Sequence, residues 1–156
     1  RAHAQAAGVD LQRLVFASHM PLPEHLARQR CADLFLDTAP YNAHTTASDA
    51  LWAGLPVLTC PGHSFASRVA ASLLHAVGLP ELIATDMADY EAMALRLWQQ
   101  PDALRALRQR LVQTTPQAPL FDAKCFARHL EQAYAIMHAR RCAGLPPAPI
   151  DLAQAA

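Results

Sequence analysis

Lysine is almost absent from this sequence: Lys124 is the only one in 156 residues, and charged side chains of all kinds make up 17% of the chain. Thirteen basic and thirteen acidic residues cancel, so no net field recruits nucleic acid or an anionic membrane surface, and any partner must be recognised locally. Long hydrophobic runs are missing too. No segment approaches the roughly 20 apolar residues of a membrane-spanning helix, and no basic stretch followed by an apolar core marks an export signal. These absences predict a cytoplasmic protein with neither nucleic acid nor membrane as a partner. With five glycines, the chain has no GxGxxG fingerprint, Walker loop or GxSxG elbow, which argues against an ordinary nicotinamide site, a P-loop enzyme and an α/β-hydrolase. It has no HExxH or CxxC either. Cys31, Cys60, Cys125 and Cys142 stand far apart among apolar neighbours, a pattern that predicts buried, free thiols in a reducing compartment and no metal centre.

What is present is apolar material, 53% of the chain, enough for the core of one domain. Residues 1–8 read as the last turns of a helix stopped by Gly8, so the chain reads as starting within a domain. Strand-like runs are expected at residues 13–18, 34–37, 56–59 and 82–84. Between them, helices are expected at 24–32, from Thr45 to about Ala53 with Gly54 as the stop, and from near Ala66 to Gly78. Three further helical segments follow. One carries Tyr90, Met93, Ala94, Leu97 and Trp98 on an apolar face; the second begins at Pro101 with Leu104, Leu107 and Leu111 inward; the third spans about 122–141 with Phe126, Leu130, Ala133, Tyr134 and Met137 on one side. Residues 114–119 read as a linker, and Pro146, Pro147 and Pro149 as an extended tail. Short strands alternating with helices predict an α/β fold, a Rossmann-like parallel sheet with helices on both faces. Residues 1–142 form the lobe and 143–156 the Pro-rich tail.

In such sheets ligands bind beyond the carboxyl ends of the strands, where helix N-termini point free amides outward. The segment from Asp37 to Pro56 occupies that position. Thr45 and Thr46 open a helix and combine hydroxyl donors with unpaired N–H groups and the positive end of the helix dipole, and His44 can add a donor, so the three suit a phosphate or diphosphate. Asp49, one turn on, can accept from ribose hydroxyls. The competing reading is a capping box, Thr46-x-x-Asp49, in which both residues serve the helix alone. His25 and Arg28 share a face of the preceding helix, where imidazole can stack on a base and guanidinium can hydrogen-bond, or where both are simply an exposed polar face. His63, Ser64, Ser67 and Arg68 lie in the next strand-to-helix connection, as cavity lining or as a helix cap.

These blocks carry a resemblance. Ala32-Asp-Leu-Phe-Leu-Asp37-Thr, then Asn42-Ala-His44-Thr45-Thr46-x-x-Asp49-Ala-Leu-Trp-Ala-Gly54-Leu-Pro56-Val, then Ala66-Ser67-Arg68-Val69-Ala70-Ala71-Ser72 together resemble the C-terminal catalytic lobe of O-GlcNAc transferases, from about residue 10 to 142. The resemblance implies the UDP-binding lobe of a two-lobed GT-B enzyme that moves N-acetylglucosamine from UDP-GlcNAc to serine or threonine hydroxyls of acceptor proteins. It further implies that His25 and Arg28 meet the uracil, that His44, Thr45 and Thr46 hold the diphosphate and that Asp49 binds the ribose. No metal or other cofactor is implied. The catalytic histidine, an N-terminal catalytic lobe and tetratricopeptide repeats are expected upstream, and no catalytic residue within these 156. Leu22 stands where the family often has a lysine. Two other readings remain at this stage: a GT-B enzyme using another nucleotide sugar, and a non-catalytic nucleotide-sugar-binding or interaction module.

Overall fold

Residues 1–152 are described by the structure, a computed structural model. The breaker-free start forms a short helix, α1 (Ala2–Ala6), followed by Gly8 at φ 74°. Residues 13–18 are not the expected strand. Val15 and Phe16 are 88% and 67% exposed, and the run takes no place in the sheet. A β-rich run becomes a strand only beside a neighbour that takes up its backbone hydrogen bonds, and none of the described residues does so. Pro23 sits in the first turn of α2 (Leu22–Gln29). That helix stops short of residue 32; beyond it the Arg108 guanidinium donates to the carbonyls of Arg30 and Ala32 at 2.8 and 3.0 Å.

The centre of the molecule is a parallel strand–helix–strand unit. β1 (Phe35–Leu36) leads through α3 (Thr45–Trp52) to β2 (Val57–Leu58), with Phe35 opposite Val57 and Leu36 opposite Leu58. The chain repeats the move through α4 (Val69–Ala76) and returns as a parallel bridge, Thr59 to Ile83, which is all that forms of the strand expected at 82–84. The alternation is therefore as read from the sequence, but on a smaller sheet. Cover on both faces is incomplete, since Leu36 is 54% exposed. α3 turns Ala47, Ala50 and Leu51 into a core completed by Leu55, Val57, Leu74, Leu79, Leu82 and Leu111, leaving Thr45 and Thr46 exposed and Asp49 half-buried.

Gly54 ends α3 at φ 82°, and a Cβ there would meet Val112 Cγ2 at 2.8 Å. Left-handed backbone and overpacking act together at this position, so Gly54→Ala should cost about 3 kcal/mol, read as a lower midpoint in denaturant unfolding.

α5 (Met87–Gln99) is capped by Asp86, which accepts from the Asp89 amide at 2.8 Å, and buries Met93 and Leu97. Trp98 does not join that face; it is 76% exposed, one position round the helix from the buried Leu97. α6 (Pro101–Thr114) buries Leu111. The expected linker at 114–119 is packed rather than solvated: Thr115 and Ala118 are buried, and Thr115 Oγ1 donates to the Leu111 carbonyl at 2.7 Å. α7 (Ala123–Cys142) has the predicted apolar stripe but buries no residue, with Phe126, Leu130, Tyr134 and Met137 all exposed. Periodicity specifies a helix and its face, not what lies against that face. The four cysteines are free, as expected, but not buried: Cys31 follows α2 on the surface, Cys142 ends α7 in the open, and Cys60 and Cys125 are half-buried. The Arg140 guanidinium donates to the Pro146 carbonyl at 2.7 Å and ties the start of the expected tail to α7; the tail's residues 153–156 lie outside those described. No helix among the described residues is long and apolar enough to cross a membrane.

Candidate functional site

Asp37 organises the loop at the carboxyl end of β1. It is 7% exposed. Its Oδ1 accepts from the amides of Thr38 at 2.9 Å and Ala43 at 2.7 Å, and its Oδ2 accepts from Thr59 Oγ1 at 2.6 Å. One carboxylate therefore folds residues 38–43 back on themselves and ties the loop to Thr59, the residue that follows β2. Asn42, 1% exposed, donates from its amide to the Ala66 carbonyl and from Nδ2 to the Thr38 carbonyl, each at 2.9 Å, while its Oδ1 is buried without a partner. Sequence reasoning noticed the acid that ends the strand but gave it no role; its partner Thr59 is 22 residues away, and no local spacing reveals the pair.

Tyr90 adds a strut, its phenol donating to the Asp37 carbonyl at 2.9 Å. Burial pushes the Tyr90 phenol above its ordinary value, with the Asp37 carboxylate and then Cys60 adding to the effect. The folded protein thus holds this proton more tightly than the unfolded chain, so the stability it contributes is complete below about pH 10 and is lost as pH rises through the folded value. Tyr90→Phe should cost about 1 kcal/mol at neutral pH and flatten the alkaline loss of stability, measured by denaturant unfolding across that range.

Immediately after this loop α3 begins. His44 occupies the N-cap position, and no side chain caps the helix. Thr45 and Thr46 are then the first and second helical residues and Asp49 the fifth. The capping-box reading fails on this register, because the box needs its Ser or Thr at the N-cap itself and its acid three residues later. The free amides of the first turn, the Thr45 and Thr46 hydroxyls and the Asp49 carboxylate instead share one solvent-facing end of the helix, Asp49 lying at i+4 and i+3 from the two threonines. His44 is fixed from three sides. Tyr41 stacks on its ring at 5.0 Å and 16°, Phe65 meets it edge-on at 6.1 Å, and its Nε2 lies 3.3 Å from the Ala66 carbonyl. Since a carbonyl only accepts, Nε2 carries the hydrogen there; Nδ1 is the remaining nitrogen, and it donates to an anion only when the ring is an imidazolium. Neither aromatic neighbour was singled out in the sequence, since a tyrosine and a phenylalanine on separate loops carry no spacing signal.

His25 and Arg28 do meet. Arg28 Nη2 donates to His25 Nδ1 and its Nη1 to the Ser18 carbonyl, both at 2.9 Å, so the imidazole is oriented by the guanidinium, which in turn is anchored to the chain ahead of α2. They line a cleft of about 420 Å³ with Ser18, His19, Met20 and Leu22, a volume suited to a small planar ligand. Leu22 is 60% exposed at its edge and gives it apolar surface where a lysine would give charge. The cleft includes no residue of α3; the two groups of candidate residues are linked through the packing of α2 on α3. Ser64 and Ser67 resolve as a cap, each side chain accepting from the other's backbone amide. His63 and Arg68 remain exposed beside it.

A sequence profile described as glycosyl transferase family 41 matches residues 1–130. The chain belongs to that family. Over 146 residues the family 41 chain is 38% identical to the UDP-N-acetylglucosamine–peptide N-acetylglucosaminyltransferase of Caenorhabditis elegans, covering 94% of this chain and 13% of the relative. Over 148 residues it is 37% identical to the probable enzyme of the same name, SEC, from Arabidopsis thaliana, covering 94% and 15%. A solved O-GlcNAc transferase from Thermobaculum terrenum superposes with a TM-score of 0.80 at 37% identity, over 85% of this chain and 26% of that one. The overlay bears out the α/β, Rossmann-like GT-B lobe expected for a family 41 chain. This chain spans only 13–15% of the length of those two curated relatives.

Proposed function

We propose that this chain is the UDP-binding lobe of a cytoplasmic enzyme that transfers N-acetylglucosamine from UDP-GlcNAc to serine or threonine hydroxyls of proteins, completed by an N-terminal catalytic lobe and tetratricopeptide repeats. The observation that carries this is the uncapped start of α3, with Thr45, Thr46 and Asp49 on one exposed end of a helix in a family 41 chain. Breaking a sugar–phosphate bond builds negative charge on the departing UDP, so donors fixed beforehand around the β-phosphate favour the transition state over the ground state. In this reading the Thr45 and Thr46 amides and hydroxyls hold the diphosphate, His44 adds a donor, Asp49 accepts from the ribose, and His25 stacks on the uracil while Arg28 fixes its plane. In this reading the amides and hydroxyls at the start of α3 oppose the phosphate charge, and no metal or other cofactor takes part.

Alone, half of an interlobe cleft cannot align donor and acceptor or exclude water, and the lobe should not turn over. The test therefore uses the full-length protein, titrated calorimetrically with UDP, UDP-GlcNAc, UDP-glucose and GDP-sugars. Uridine nucleotides should bind and UDP-GlcNAc alone should support transfer to protein. Thr46→Ala should lower kcat by about tenfold with a smaller change in UDP affinity, as expected for a donor that matters most when charge develops. Transfer from a different sugar nucleotide would support the broader GT-B reading; absence of nucleotide binding would refute both.

A further inference from the structure

The loop after β2 and the outer face of α4 enclose a second cleft, of about 770 Å³, that the UDP reading does not use. Val69, Leu73 and Ile83 give it an apolar floor, His63, Arg68 and His75 stand along it, and no carboxylate is among its lining residues. Arg68 takes part in neither of the salt bridges formed among the described residues, Arg105–Asp102 and Arg110–Glu81. Arg68, Ser72 and His75 are all exposed and follow at i, i+4 and i+7, which puts them on one face of the helix. At the helical rise per residue, Arg68 and His75 lie about 10 Å apart along its axis. Phe65, 82% exposed, lines the end of the cleft where its ring meets His44. The cleft thus runs from the start of α3, where the diphosphate is placed above, out along α4.

Resting on that transferase reading, we propose that this cleft receives a segment of the protein acceptor that flanks the glycosylated hydroxyl and carries acidic side chains beside an apolar anchor. Charge complementarity selects the occupant: Arg68, which forms no salt bridge among the described residues, flanked by the hydrogen-bonding imidazoles of His63 and His75 and with no carboxylate in the lining, takes an anionic chain, and the floor of Val69, Leu73 and Ile83 takes an aliphatic side chain. Spacing narrows it further. A polyproline-type segment repeats every three residues and rises about 3.1 Å per residue, so acids three positions apart project to the same side at about 9 Å, close to the Arg68–His75 separation. Phe65 places the hydroxyl end of such a segment against His44.

The test uses the full-length protein and two fluorescein-labelled peptides with the same serine-containing core and the same leucine. One carries two glutamates three residues apart; the other carries glutamines in their place. In anisotropy titrations the acidic peptide should bind about fivefold more tightly, the expected size for one exposed ion pair at Arg68 and one hydrogen bond from the His75 imidazole, and the preference should shrink with added salt. The double variant Arg68→Gln/His75→Gln, both on the surface, should erase the preference while keeping the affinity for the glutamine peptide and for UDP. Equal binding of the two peptides to the unaltered protein, or an undiminished preference in the double variant, would overturn the proposal. UDP titration of the same samples separates the two readings. UDP binding without a peptide preference refutes the cleft alone, whereas a peptide preference that depends on Arg68 and His75, without UDP binding, supports the cleft and refutes the donor site.

Discussion

Asp37→Ala is expected to lower folding stability by about 3–5 kcal/mol, the largest loss from any single substitution considered for this chain. The carboxylate is 7% exposed and receives three hydrogen bonds, from the Thr38 and Ala43 amides and the Thr59 hydroxyl. Alanine leaves all three donors without their acceptor in a place water barely reaches. The damage also spreads towards the site, because Ala43 immediately precedes His44 and the start of α3. Denaturant unfolding of the purified protein measures the first effect. UDP titration at a temperature where the variant remains folded measures the second, and affinity should fall although Asp37 itself contacts no nucleotide. Asp37→Asn should lose less, since the Thr59 hydroxyl can turn and accept from the new amide. A cost within about 0.5 kcal/mol, the range of an ordinary surface substitution, would show that the network does not hold the loop.

Asp49→Ala is the counterpart that should leave the fold alone and remove binding. Asp49 lies half-buried on the open side of α3 and gives the helix no cap. A carboxylate that accepts from ribose hydroxyls forms charge-assisted bonds worth about 1.5–3 kcal/mol, so the substitution should weaken UDP by roughly 10–100-fold. The unfolding midpoint should not move. The reverse pattern, about 1 kcal/mol of lost stability at unchanged UDP affinity, would return Asp49 and Thr46 to the role of helix cap. Measuring both quantities on the same preparation decides between them.

These two residues also show how far the sequence could be read. Asp49, Thr45 and Thr46 were legible because helical spacing is local: once Gly54 marks the end of α3 and the polar run marks its start, the shared face follows. Register at the start was not legible. The box Thr46-x-x-Asp49 matches a common pattern, and only the observed N-cap at His44 shows that α3 begins two residues too early for it. Asp37 was visible as the acid ending a strand, but its function rests on Thr59, which the chain brings back through a whole helix. The same division runs through the fold. α3 to α6 were predictable from periodicity and from Gly54, Gly78 and Pro101, whereas residues 13–18 have strand propensity without a partner, and Trp98 and the α7 stripe have apolar character without a covering surface. Propensity is a property of the segment; pairing and burial belong to the whole molecule.

The central claim is that the free amides at the start of α3 hold the diphosphate of a uridine nucleotide, and a crystal of the full-length protein soaked with UDP tests it most directly. The account predicts phosphate oxygens within about 3 Å of the Thr45 and Thr46 backbone nitrogens, with the ribose hydroxyls at Asp49 and the base over His25. Nucleotide density lodged anywhere else, with the start of α3 empty at saturating UDP, would contradict it.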